Sequence, residues 1–114
     1  MDTPMKAVIY ARVSSKDQEE TGYSLPAQEK FLKDYTAKKG FEVGKVFSIS
    51  ESASGKKQRE VFGQMIEYVT KQGIKIIICE KVDRLTRNFK DAVSIDEWLE
   101  EDLDRQVHLV KDSL

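Results

Sequence analysis

The sequence has 114 residues, which suits one ordinary domain and is too short for two. Hydrophobic residues make up 39% of the chain and charged residues 34%, and no apolar run approaches the roughly 20 residues that a membrane span needs, which excludes a membrane-spanning protein. Nineteen basic and twenty acidic residues leave a net charge of −1, which argues against a protein that coats nucleic acid through charge alone.

The N-terminal segment predicts a cytoplasmic protein that opens with a buried strand. Residues 1–7 carry neither a basic leader nor a long apolar stretch, so they indicate no secretory signal. From Lys6 to Val13 the chain is an almost unbroken run of apolar and β-branched residues, which is typical of a strand covered on both faces. The run ends abruptly in a polar segment at residues 14–18.

A helix, a less regular strand and a loop are predicted next. Ser24 is a candidate N-cap with Pro26 in the first helical turn, and Gly40 ends this helix. Residues 41–49 predict a rougher strand, which Gly44 interrupts. Residues 51–59 are polar and show no periodicity, so they predict a loop.

The second half of the chain begins with another helix and another buried strand. Apolar residues at helical spacing, from Phe62 to Val69, predict a helix that stops at Gly73. Residues 74–79 then predict a buried strand. The single cysteine, Cys79, lies in this strand and is interpreted as a small apolar core residue.

The elements alternate as β-α-β-α-β-α-β along the chain. The last helix is predicted from about Phe89 to Glu101, with Phe89 on or near its inner side, and residues 106–110 predict a short closing strand. This order predicts an α/β protein with an open, mostly parallel sheet of about four strands flanked by helices. Ligands bind beyond the carboxyl ends of such strands, where the polar segments at residues 14–18 and 83–87 are both expected.

These segments contain the residue types of a phosphoryl-transfer site that works without a metal. Arg12 and Ser14 are two residues apart at a strand end, so both side chains leave the same face. Arg84 and Arg87 follow a later strand, and further basic residues lie in the segment at 54–59. Guanidinium groups clamp phosphate oxygens with paired, charge-assisted hydrogen bonds, and nearby cations favour a serine alkoxide.

Other roles stay open for several of these residues. Charge runs usually form solvated surfaces, and Asp83 is either a proton acceptor or a group that holds an arginine. Ser15 is the rival nucleophile, although neighbours on an extended chain point to opposite faces. The only histidine, His108, is more typical of a packed residue. No zinc, paired-magnesium or nucleotide-binding motif is present, so we expect neither a metal nor a cofactor.

Three motifs, in this order, resemble those of the resolvase/invertase family of serine site-specific recombinases. They are YARVSSKDQ at residues 10–18, the pair Ser54-Gly55 followed by Arg59, and DRLTR at residues 83–87. In addition, YSLPAQ at residues 23–28 resembles the first helix start of the large serine recombinases, which are the integrases and transposases of mobile elements.

The resemblance implies metal-independent DNA cleavage and rejoining. Ser14 would attack the scissile phosphate and leave a 5′-phosphoserine link to DNA. The implied catalytic residues are Ser14, Arg12, Arg84, Arg87 and Asp83, and the implied phosphate-binding, DNA-binding or supporting residues are Gln18, Ser54 and Arg59.

The resemblance also implies partners. The family continues into a long dimerisation helix and DNA-binding domains, so residues 1–114 are expected to be a catalytic domain truncated before those parts and inactive in isolation. The expected partners are DNA and, in the full-length protein, further copies in a homodimer and a homotetramer, with no membrane and no small-molecule substrate. A non-catalytic recombinase remnant that serves as an assembly or regulatory module remains the alternative.

Overall fold

The computed structural model describes residues 4–14, 24–51 and 55–111. The predicted alternation of strands and helices is confirmed, and a one-turn helix is added after the third strand. The elements in chain order are β1 Lys6–Ser14, α1 Leu25–Lys38, β2 Glu42–Glu51, α2 Lys56–Gln72, β3 Ile76–Cys79, α3 Val82–Leu85, α4 Phe89–Glu100 and β4 Gln106–Leu109.

The four strands form one fully parallel sheet with the order β2-β1-β3-β4. β1 pairs with β2 along its whole length, from Lys6 with Glu42 to Ser14 with Glu51. On its other side β1 pairs with β3 only as far as Tyr10, so the end of β1 projects past β3. The predicted α/β fold with a mostly parallel, four-stranded sheet is therefore confirmed.

Helices cover both faces of the sheet, so alternate residues of β1 enter two separate cores. Because side chains alternate along a strand, Arg12 and Ser14 face the same side as Tyr10, which is the side of α2, α3 and α4. The core beneath α1 contains Ala7, Ile9, Ala11, Leu32, Ile76 and Ile78. The opposite core contains Val8, Tyr10, Phe62, Met65, Val69, Ile77, Leu85, Ile95 and Trp98, among others.

The start of α1 and the interruption of β2 both follow from the local sequence. Ser24 is the N-cap of α1, and its side chain accepts a hydrogen bond from the Ala27 amide at 3.3 Å. In β2 the predicted interruption is a β-bulge, because the register moves from Val43 to Lys45 and leaves Gly44 as the extra residue. The strand continues past this bulge to Glu51.

Helix α2 begins earlier than the sequence predicts, so the loop prediction was wrong from Lys56 onward. Gly55 is the N-cap, with a left-handed φ of 71°, and Arg59 lies in the first helical turn. The inner position of this turn is occupied by Gln58, which is polar, and hydrophobic periodicity therefore missed the turn. Within the described ranges no helix combines the length and apolar character needed to cross a membrane.

The first turn of α4 buries a different residue from the one that the sequence predicts. Asn88 is the N-cap and accepts a hydrogen bond from the Asp91 amide at 2.9 Å. This start leaves Phe89 84% exposed, so its predicted inward position was wrong. The buried residues of the helix are Asp91, Ile95 and Trp98, and a carboxylate therefore takes the first inner position.

Candidate active site

The side chain of Arg12 ties the end of β1 to the segment that follows β3. Its Nε donates to the Arg84 carbonyl oxygen at 3.3 Å, and its Nη2 donates to the Asp83 carbonyl oxygen. Arg12 is only 7% exposed, so these charge-assisted bonds are largely shielded from water. They dock α3, which carries the start of the DRLTR motif, against the end of β1.

The main chain of Arg12 is held by a residue whose role the sequence did not reveal. The Gln28 side chain accepts from the Arg12 amide at 2.9 Å and donates to the Arg12 carbonyl oxygen at 3.1 Å. Gln28 is fully buried in α1. Its carboxamide satisfies both backbone groups beyond the point where β3 ends, as buried backbone groups require. Only its place in the YSLPAQ segment singled it out.

Ser14 is the last residue of β1 and is half-buried. It lies on the same face as Arg12 and pairs in register with Glu51, the last residue of β2. β2 then leads through residues 52–54 to Gly55. The predicted site residues Gln18 and Ser54, and the rival nucleophile Ser15, lie outside the described residues.

Arg87 brings the end of the DRLTR motif to Gly55. A Cβ built on Gly55 would lie 2.8 Å from Cζ of Arg87 and would overlap Nη1, so the guanidinium occupies the space that a side chain would fill. Glycine suits residue 55 for two reasons: its φ is positive, and a Cβ here would force the Arg87 guanidinium to move. The start of α2 and the end of the DRLTR segment therefore meet at Gly55.

A buried carboxylate lies beside Arg84. Glu80, 3% exposed, places Oε1 4.0 Å from Nε of Arg84 and Oε2 3.5 Å from Nζ of Lys111. Asp83 is exposed, and Arg12 bonds its carbonyl oxygen. Sequence reasoning missed Glu80 because a single acidic residue after an apolar strand matches no motif. This carboxylate therefore lies between two cations, one from α3 and one from just after β4.

Two further residues lie away from this cluster. Arg59 is exposed on the first turn of α2, one residue after the buried Gln58. His108 in β4 accepts a hydrogen bond from the Tyr35 hydroxyl at Nδ1, at 2.7 Å, and its Nε2 lies 2.8 Å from Gln106 Oε1. Burial lowers the pKa of His108, with a smaller contribution from Lys39. His108 therefore serves to join α1 to β4.

The described side chains and strand ends form an arc at one edge of the sheet. Arg12 reaches the segment of Asp83 and Arg84, Arg87 reaches Gly55, and β1 and β2 end side by side at Ser14 and Glu51. Among the described residues, no group of three or more His, Cys, Asp and Glu side chains could hold a metal ion. In the part of the chain that the structure describes, the arc combines the Ser14 hydroxyl with several guanidiniums, which is a set suited to an anionic phosphate.

Comparison with known families decides the identity of the chain. The resolvase N-terminal domain family matches residues 7–114, which is nearly the whole chain. The chain belongs to this family. Its motifs at residues 10–18 and 83–87 lie inside the matched region, so the resemblance that they carried is confirmed at the level of the family.

Solved serine recombinase structures share the fold. The C-terminal catalytic domain of ISC1926 TnpA, an IS607-like serine recombinase, is 32% identical, with a TM-score of 0.72, over 96% of this chain and 72% of that one. A resolvase family site-specific recombinase from Streptococcus pneumoniae is 26% identical, with a TM-score of 0.75, and the match covers 96% of this chain and 74% of that one. The N-terminal catalytic domain of TP901-1 integrase also shares the fold. It is 24% identical, with a TM-score of 0.72, and the match covers 91% of this chain and 77% of that one.

A curated relative comes from a bacteriophage. Uncharacterized immunity region protein 3 of Bacillus phage phi105 is 42% identical over 55 residues, which are 48% of this chain and 66% of that protein. The match thus spans just under two thirds of the relative. A phage relative agrees with the mobile-element setting that the sequence motifs predict.

Proposed function

We propose that this chain is the catalytic domain of a site-specific recombinase that cleaves and rejoins DNA through a phosphoserine formed by Ser14. The observation that supports this most is the docking of the Asp83–Arg84 segment onto Arg12, two residues before Ser14 on the same face of β1. Membership of the resolvase N-terminal domain family supports the same reaction class.

In the proposed cleavage step, Oγ of Ser14 forms a bond to the scissile phosphorus while the bond from phosphorus to the 3′ oxygen breaks. The serine hydroxyl gives up its proton, the departing 3′ oxygen gains one, and the 5′ phosphate stays attached to the protein. One phosphoester replaces another, so rejoining by attack of a 3′ hydroxyl needs no external energy source. The reaction also needs no metal if guanidiniums stabilise the charge on the phosphate oxygens.

The arginines have different tasks in this proposal. Arg84 and Arg87 contact the phosphate, while Arg12 uses its donors to hold their segment in place beside Ser14. Asp83, which is exposed next to Arg84, is proposed as a proton acceptor or as a group that orients an arginine. Gln18, Ser54 and Arg59 are proposed as supporting contacts to the phosphate or DNA.

The proposed partners follow from the family. The full-length protein is proposed to bind DNA through parts outside residues 1–114 and to act as a homodimer and homotetramer. A net charge of −1 gives these residues little general attraction for DNA, which agrees with a catalytic domain that depends on other parts for binding.

The test is covalent trapping on a mixture of DNA fragments, so that the target site need not be identified beforehand. Full-length protein is incubated with sheared host DNA in EDTA and denatured, and protein-bound DNA is recovered and sequenced. We expect the wild type and Ser15→Ala to retain DNA, Ser14→Ala to retain none, and mass spectrometry to find the phosphoryl group on Ser14. Undiminished trapping by Ser14→Ala would remove Ser14 from its role, and no trapping by the wild type would favour the non-catalytic assembly module.

A further inference from the structure

A buried carboxamide and a buried carboxylate join α2 to α4 behind Arg87. Gln58 is fully buried in the first turn of α2, and Asp91, 7% exposed, lies in the first turn of α4. Nε2 of Gln58 donates to Oδ2 of Asp91 at 2.8 Å. Burying such groups is costly, and apolar side chains of similar size would fill the space without that cost. The pair therefore calls for an explanation beyond packing.

Asp91 fixes the main chain of Arg87. The same Oδ2 accepts a hydrogen bond from the Arg87 amide at 3.0 Å. The Asp91 amide in turn donates to the Asn88 side chain at 2.9 Å, so both the main chain and the side chain of Asp91 are engaged. A carboxylate at this position also interacts favourably with the N-terminus of α4.

The first turn of α2 supports Arg87 at two points. Gly55 leaves room for the guanidinium, and Gln58, three residues later, reaches the Arg87 main chain through Asp91. A shift of this turn would therefore displace both the guanidinium and the main-chain amide of Arg87.

The chemistry of the neighbours fixes the orientation of the Gln58 amide. An ionised carboxylate only accepts hydrogen bonds, so Gln58 presents its NH₂ group to Asp91 and turns Oε1 away. The Tyr10 hydroxyl, which is buried, neighbours the Gln58 side chain. Burial raises the pKa of Tyr10 well above its usual range, so the hydroxyl keeps its proton and remains a donor.

We propose that Gln58 and Asp91 are positioning residues that hold Arg87 against Gly55 in the geometry that cleavage requires. The catalytic consequence rests on the proposed function, whereas the placement of Arg87 does not. Neither side chain needs to touch DNA, because both act through Arg87. A displacement of about 1 Å at a reacting group lowers a rate by roughly 100-fold, so a small loss of this support is measurable.

Substitutions at the two residues test the proposal. Gln58→Glu places two carboxylates in contact and removes the donor, so we expect covalent trapping to slow roughly 10- to 100-fold at saturating DNA. Asp91→Ala removes the oxygen that accepts from both Gln58 and the Arg87 amide, so we expect a similar loss. Asp91→Asn keeps one oxygen that can accept both hydrogen bonds, and we expect its rate to stay within about threefold of the wild type.

The matched control is Gln64→Glu, the same chemical change at an exposed position of α2, which we expect to leave trapping unchanged. Two further measurements separate positioning from a general loss of structure. DNA retention before cleavage and the urea midpoint of Asp91→Asn should match those of the wild type. Deuterium uptake of the peptide that contains the Arg87 amide should rise in Gln58→Glu and in Asp91→Ala and stay at the wild-type level in Asp91→Asn.

Two results would overturn the proposal. One is a Gln58→Glu variant with wild-type trapping and wild-type deuterium uptake, and the other is a folded Asp91→Asn variant that traps DNA no faster than Asp91→Ala. If the wild type itself traps no DNA, the proposed function fails, and deuterium uptake at Arg87 still decides whether the pair positions that residue.

Discussion

At the scale of single residues, Arg12 does more than its place in a motif suggests. Its guanidinium bonds two main-chain carbonyls of the α3 segment, and its own amide and carbonyl are bonded by Gln28. Each of these groups is buried or partly buried, so each lost bond leaves a polar atom without water. The side chains of Arg12 and Gln28 thus hold the end of β1 in place.

The first prediction concerns this pair. Gln28→Ala leaves the Arg12 amide and carbonyl without their partner, and we expect the free energy of unfolding to fall by about 2–4 kcal/mol. Arg12→Lys replaces a guanidinium that bonds two carbonyls with a single ammonium, and we expect a loss of about 1–3 kcal/mol. Urea titrations measure both values.

The control for this pair is Lys33→Ala, an exposed change on α1 that should stay within about 0.5 kcal/mol of the wild type. A Gln28→Ala variant as stable as this control would show that water or another side chain replaces the lost hydrogen bonds.

At the scale of secondary-structure elements, substitutions at the two glycines that flank α2 distinguish backbone strain from displacement of Arg87. Gly55 and Gly73 both have a left-handed φ, 71° and 67°. A Cβ at Gly73 meets nothing within 4 Å, whereas a Cβ at Gly55 overlaps Arg87. We expect Gly73→Ala to lose about 1–2 kcal/mol of stability through strain alone.

The second prediction follows from this contrast. Gly55→Ala should lose at least as much stability as Gly73→Ala in urea titrations, and it should also displace Arg87 and slow covalent trapping of DNA by roughly 10-fold or more. Gly73→Ala should trap DNA at the wild-type rate. Equal trapping by the two variants would contradict the placement of Arg87 against residue 55.

The third prediction concerns the contact between α1 and β4 at His108. Nε2 of His108 faces the side-chain oxygen Oε1 of Gln106 and therefore carries the proton, which leaves Nδ1 to accept from Tyr35. The folded protein therefore favours neutral His108. Burial lowers the pKa of His108 below its usual 6.5. His108 therefore binds a proton more readily in the unfolded chain than in the folded protein. The stability that neutral His108 contributes is present above about pH 6.5 and is lost as the pH falls.

Urea titrations at several pH values between about 5 and 7.5 check this prediction. The stability of the wild type should rise with pH more steeply than that of His108→Gln, which has no titrating group at this position. Identical slopes for the two proteins would show that protonation of His108 does not oppose folding.

At the scale of the whole molecule, β3 is buried on both faces and lies inside the sheet, so its exposure requires the fold to open. Cys79, the only cysteine of the chain, is fully buried there, and burial raises the pKa of its thiol to about 12. A buried, protonated thiol reacts slowly because the thiolate is the reactive form.

The fourth prediction follows. Under native conditions, reaction of Cys79 with a thiol-specific reagent should be far slower than in denatured protein, and its rate should rise with urea in parallel with global unfolding. Absorbance of the released thiolate measures both rates. Rapid reaction in the absence of urea would contradict the burial of β3.

The sequence by itself determined the alternation of elements, the parallel sheet and the positions of the motifs. Strand runs such as Lys6–Ser14 are continuous and apolar because both faces are covered, and that pattern is visible without coordinates. Ser24 and Gly73 likewise mark helix ends through local chemistry alone. These are short-range effects, so neighbouring residues suffice to predict them.

Only the tertiary structure decided which polar side chains are buried and what they hold. Gln28, Gln58, Glu80 and Asp91 resemble ordinary surface residues in the sequence, yet each is buried and has a partner at least 16 residues away. Their value depends on hydrogen bonds and ion pairs between elements, and local patterns carry no information about such partners. The first turn of α2 and the exposure of Phe89 were misjudged for the same reason, because the inner position belongs to a polar residue in each case.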